Sequence, residues 1–132
     1  MKQELEEKLF NDFPLLFRKD HDTKNSLMGC GFECGDGWYE LIRQLCEDIY
    51  PHIIKHKKNF PSNEDICPSV LQVKEKFGEL RFYLDFASDE VWNLTEKALQ
   101  KSREICEVCG QPGKIDYANR WYKCRCEQHR DQ

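Results

Sequence analysis

Residues 70–86, VLQVKEKFGELRFYLDF, alternate apolar and polar side chains with a period of two. That is the repeat of a β-strand, whose successive side chains face opposite sides of a sheet. Gly78-Glu79 reads as a Gly-X two-residue turn, which makes the segment a hairpin with Phe77 opposite Leu80. In that register Leu71, Val73, Phe77, Leu80, Phe82, Leu84 and Phe86 share one face, and Lys74, Lys76, Arg81, Tyr83 and Asp85 share the other. Glu75 breaks the pattern by falling on the apolar face, where an unpaired carboxylate is strongly disfavoured. An isolated hairpin is marginal in water, so helices must cover its apolar side.

The flanking sequence supplies them. Downstream, Ser88 is placed to cap a helix over 89–103, with Asp89 and Glu90 in its first turn and Val91, Leu94, Ala98 and Leu99 on its inner face. Upstream, Trp38, Leu41, Ile42, Leu45, Cys46 and Ile49 recur at helical spacing, predicting a helix over 38–50 with Asp36 as its N-cap. Pro51 interrupts this pattern, and HIIKHKKN after it reads as a second short helix, since proline is tolerated in a first turn. A further helix over 2–10 should end before Pro14, and a polar loop with a solvated His21 should span 18–26. Between them, Gly29, Gly31, Gly35 and Gly37 fall within nine residues and demand unusual torsions or close backbone approaches. A further strand is expected near Phe32. The fold class is therefore α+β: an antiparallel hairpin packed by helices, a body over 1–104, then a small module over 105–132.

That module carries the clearest chemical signal. Cys106-Glu-Val-Cys109-Gly110 is a C-x-x-C-G turn, in which two thiolates grip one ion while glycine lets the backbone curl around the sulfurs. After sixteen intervening residues, Cys126-Glu-Gln-His129 supplies a second pair. Gln111-Pro112-Gly113 marks a turn, and Ile115 to Lys123 suits a short hairpin. Four borderline-soft donors fill the tetrahedral shell of Zn²⁺ and leave no position for a reacting water, which assigns the metal a structural role. Cys124 is an alternative ligand in place of Cys126 or of His129. Cys46 lies on an apolar stripe, Cys67 precedes a proline in a loop, and Cys30 and Cys34 lack a second well-spaced donor pair.

Size and composition set the frame. A chain of 132 residues suits one compact domain or a domain with a small appendage. Its formal charge of −4 and 33% charged residues exclude a protein that coats nucleic acid by bulk electrostatics, while leaving room for a local basic patch. No apolar run approaches the roughly 20 residues of a membrane span, and the first residues lack a signal peptide's apolar segment. The expected compartment is the cytoplasm, where eight cysteines point to metal rather than to disulfides.

Three segments in this order, GDGW at 35–38, VKEKFGELRFY at 73–83 and ICEVCGQPG at 105–113, resemble a family of short uncharacterised proteins encoded in phage, prophage and bacterial genomes. The likeness spans roughly residues 29–129. It implies a phage or mobile-element context, hence a host cytoplasm, the same zinc ligands, and a GDGW loop packed near the hairpin. It implies no reaction.

Three functional classes follow from the residues. The first is a non-enzymatic accessory protein that binds a host protein or nucleic acid, for which Arg120, Trp121, Tyr122, Lys123, Arg125 and Arg130 interleave rings and cations around the finger. The chain has no Walker loop, no G-x-S-x-G and no H-E-x-x-H, so an enzyme is not the expectation. Glu107, Asp116 and Glu127 weaken the local positive field. The second class is a site for a small, nucleotide-like ligand built by the glycine loop and hairpin, with Glu33, Asp36, Trp38, Glu75 and Arg81 lining it. The third, a ββα-metal nuclease, needs a histidine base and a further metal-binding residue, yet the finger offers only His129, already a zinc ligand, and Asn119.

Overall fold

In a computed structural model, residues 1–18, 26–59 and 68–132 are described. The elements run α1 (Gln3–Asp12), β1 (Phe32–Glu33), α2 (Tyr39–Asn59), β2 (Val70–Lys76), β3 (Glu79–Leu84), α3 (Asp89–Ser102), β4 (Lys114–Ile115) and β5 (Cys124–Arg125). β2 and β3 form the expected antiparallel hairpin. The strand expected near Phe32 is β1, which pairs with β2 in parallel through Phe32 and Val73 and gives a sheet of order β1-β2-β3. β4 and β5 form a separate two-stranded ribbon. The α+β class stands; His21, Cys67 and most of the loop at 18–26 lie outside the described residues.

The helices bury the stripes their sequences present. α2 turns Ile42, Leu45, Cys46, Ile49 and Ile53 inward, and α3 buries Val91 and Ala98. Ser88 caps α3, its hydroxyl accepting from the Val91 amide at 3.3 Å. The sheet contributes Phe32, Val70, Val73, Leu80, Phe82 and Leu84 to the same core. Ser102 ties α3 to β3: its buried hydroxyl accepts from the Leu80 amide at 2.9 Å.

Three local expectations are overturned. Lys76 pairs with Glu79, so the turn residues are Phe77 and Gly78, not Gly78 and Glu79. Both have positive φ, 55° and 82°, the pattern of a type I′ turn whose twist matches that of the strands. Phe77 thereby leaves the apolar face and is 62% exposed. Leu71 sits at an irregularity between Val70 and Gln72, and Phe86 is also exposed. Second, α2 runs unbroken through Pro51. The proline faces solvent and forfeits one helical hydrogen bond, while Ile49 and Ile53 on either side are fully buried and hold the helix together. Third, Asp36 does not cap α2. Gly35 stands at the N-cap of a short 3₁₀ turn over Asp36–Trp38, and Asp36 Oδ1 instead accepts from the Lys2 amide at 2.7 Å, at the start of α1.

Candidate metal centre

The knuckle forms because Cys106-Glu-Val-Cys109-Gly110 closes on itself. The Gly110 amide donates to the Cys106 carbonyl at 2.8 Å, and Gly110 takes φ +81°, a torsion that glycine adopts without a Cβ clash. The Cys106 amide donates to Gln111 O at 2.8 Å. The second pair arrives from β5, after which Cys126 starts a 3₁₀ turn over Glu127–His129. The β4–β5 register, Ile115 opposite Cys124, brings this turn over the knuckle.

The four donor atoms of Cys106, Cys109, Cys126 and His129 lie within 4.8 Å of one another and can hold a metal ion. Cys109 Sγ to Cys126 Sγ is 3.7 Å, Cys106 Sγ to His129 Nδ1 is 3.8 Å and Cys126 Sγ to His129 Nδ1 is 3.2 Å. A tetrahedron with metal–sulfur bonds of about 2.3 Å has edges of about 3.8 Å, so the spacing suits one shared ion. Burial works against the Cys106 thiolate, but backbone amides of Cys126, Cys109 and Val108 outweigh it and bring the thiol from 9.0 down to about 6. Cys124 is not in the group: its buried Sγ donates to the Arg103 carbonyl at 3.1 Å, and burial pushes its thiol up to about 11. Cys34 is likewise pushed up to about 12 by burial and by nearby Glu107, and Cys46 is raised chiefly by burial. Among the described residues no second such group occurs.

Glu107, inside the knuckle, does more than weaken a positive field. It is 7% exposed. Its Oε2 accepts from the Gly35 amide at 2.9 Å, its Oε1 from Arg125 at 3.0 Å, and its carbonyl from the Gly37 amide at 2.8 Å. A Cβ on Gly35 or Gly37 would collide with the backbone of Cys106 and Glu107. The glycines of GDGW thus admit the knuckle itself. Trp38, fully buried, completes the seam by donating Nε1–H to the Ile105 carbonyl at 2.9 Å. Only an acidic residue between paired cysteines hinted at this, and no local period reveals its partners.

The residues considered for a small ligand do not converge. Glu33 is exposed on β1 and accepts from Gln72. Asp36 and Trp38 are used as just described. Arg81 pairs with Glu79, which also binds Arg103. Glu75 remains on the inner face, now opposite Leu80, with two partners: its Oε1 lies 2.5 Å from Lys123 Nζ and its Oε2 accepts from the Gly78 amide at 2.7 Å. Arg120 and Trp121 stand exposed on the β4–β5 connection.

Fold and site together define an α+β protein carrying a Cys₃His donor cluster able to hold a metal ion. Compared with known protein families, with curated proteins and with solved structures, the chain matches none of them. Among the described residues no helix is long and apolar enough to cross a membrane.

Proposed function

We propose that this is a non-enzymatic accessory protein in which a structural zinc ion shapes a finger that binds a host protein or nucleic acid. One observation carries the reading: four donors of the types zinc prefers, three sulfurs and one imidazole nitrogen, gathered within 4.8 Å. With all four bound, no coordination position is left for a water nucleophile, so the ion's work is to hold the finger. The resemblance to phage and prophage proteins supplies the context, a host cell's cytoplasm. The finger's free surface, with Arg120, Trp121 and Lys123, supplies the contact face.

Metal analysis by mass spectrometry of protein purified without added metal tests this. About one zinc per chain is expected. Cys109→Ser should abolish it, and Cys109 is exposed, so the change removes a ligand without opening the core. Fresh wild-type protein free of zinc would overturn the reading.

A further inference from the structure

We infer that the finger and the hairpin tip together form a binding face for single-stranded nucleic acid, which rests on the reading above that the finger is the contact surface. The finger carries a cleft of about 660 Å³ whose lining includes Lys114, Tyr117, Asn119, Trp121 and Lys123. Trp121 leaves 71% of its surface exposed and Tyr117 64%, and the Tyr117 and Tyr122 rings stand edge to face at 5.5 Å. Trp121 and Tyr117 leave most of their surface in water, so the core does not explain them.

The hairpin tip adjoins this cleft through a chain of contacts. Lys123 Nζ lies 5.3 Å from the Trp121 ring centre and 2.5 Å from Glu75 Oε1. Glu75 in turn holds the Gly78 amide, and Gly78 sits so close to Ile115, another cleft residue, that a Cβ would come within 2.9 Å of its Cδ1. The next residue back is Phe77, with Lys76 Nζ 5.7 Å from its ring. Phe77 combines two disfavoured features, a bulky ring left in water and a left-handed φ of 55° that suits asparagine or glycine. A ligand that stacks on the ring accounts for both, since such local conflicts concentrate where proteins bind.

Charge favours a polyanion here rather than elsewhere on the chain. Residues 105–132 carry five Lys and Arg against four acids, net +1, which three zinc-bound thiolates and the ion itself bring to 0, while residues 1–104 carry 15 against 20, net −5. Within the face Glu75 is engaged by Lys123, Glu107 by Arg125 and Glu127 by Arg130. Asp116 accepts from the Ala118 amide, and Asp131, which also lines the cleft, pairs with no cation among the described residues. Lys76, Lys114 and Arg120 pair with no carboxylate among the described residues. Exposed rings alternating with uncompensated cations suit a single strand, whose unstacked bases meet the rings while its phosphates meet the cations. A duplex hides its base faces from such rings.

The test is fluorescence anisotropy of a labelled single-stranded oligothymidylate of about 12 nucleotides against zinc-loaded full-length protein. Three free cations predict a log–log salt slope near −2, by about 0.7 per phosphate contact. Trp121→Ala should weaken binding about tenfold. Lys114→Glu with Arg120→Glu should weaken it and flatten the slope; these replace Lys123, whose loss would also unpair Glu75. Phe77→Asn should weaken binding about tenfold while raising the melting temperature, because asparagine tolerates the turn's torsion. A merely structural Phe77 would instead lower the melting temperature when replaced, which would overturn its role. Wild-type protein that ignores the strand at low salt overturns the inference and leaves the face to a protein partner. So does equal affinity for duplex, or full affinity in Trp121→Ala. Zinc measured on the same sample separates the two readings, since zinc-loaded protein that fails to bind sinks this inference alone.

Discussion

In residues 1–104 the buried set is apolar and extensive: Leu9, Trp38, Ile42, Ile49, Ile53, Val70, Val73, Leu80 and Val91 are all at 0–1% exposure. In residues 105–132 only Cys106, Ile115 and Cys124 are buried hydrophobics, and the module's aromatic residues remain in solvent. A segment this short cannot remove enough apolar surface from water to offset its conformational entropy. A metal ion held by Cys106, Cys109, Cys126 and His129 would supply what the missing core does not, because binding free energy at such a site is folding free energy. Yet the two regions are not independent. Gly35, Gly37 and Trp38 of one are bonded to Ile105 and Glu107 of the other, and Glu75 to Lys123.

Metal removal should separate the regions most forcefully, since structural zinc contributes about 10–16 kcal/mol of apparent binding free energy in finger peptides. After chelation or Cys109→Ser, hydrogen exchange should show residues 105–132 open and residues 35–38 loosened, with α2 and α3 still protected. A body that melts together with the module would break the comparison and make the chain one cooperative unit. Acid acts on the same centre. Cys106 has a folded-state pKa lowered from 9.0 to about 6, so its thiolate stabilises the folded form fully above 9, and that stabilisation is lost as pH falls through 6. A bound ion moves the loss further toward acid. Metal release, followed with a chromogenic chelator, should therefore begin only below about pH 6, and release already at neutral pH would contradict the assignment.

Glu107→Ala is expected to cost about 3–5 kcal/mol in urea unfolding, because it strands Arg125 and the Gly35 amide at the seam. A loss below about 1 kcal/mol would mean that the seam is solvated. Glu75→Gln should cost about 1–2 kcal/mol by weakening the link to Lys123, and a double-mutant cycle with Lys123→Met would isolate the pair. Since Glu75 has structural partners, oligonucleotide affinity per folded molecule should not fall; a selective loss of affinity would make it part of the binding face. Smallest is Ser88→Ala, about 1 kcal/mol from a lost helix cap, which should lower the body's melting transition and leave metal affinity untouched.

Much of the fold and the donor set is legible in the chain because the controlling interactions are local. The stripes on α2 and α3, the Ser88 cap, the alternation in β2 and β3, and the two short pairs Cys106/Cys109 and Cys126/His129 each report a period or spacing within a few residues. Geometry then separates Cys126 from Cys124: strand alternation would put both on one face, but β5 ends at Arg125, so Cys124 stays in the ladder opposite Ile115 while Cys126 starts the turn that carries His129. The remaining features depend on partners far along the chain. Pro51 stays helical because the buried Ile49 and Ile53 hold both sides of it. The hairpin turns at Phe77-Gly78 with Gly78 against Ile115 and Glu75 bonded to Lys123, 48 positions away. Gly35 and Gly37 are glycines because the knuckle's backbone lies against them, and Gly35 binds a carboxylate 72 positions away. A sequence states its own periods, but a close approach between two distant backbones exists only once both have folded.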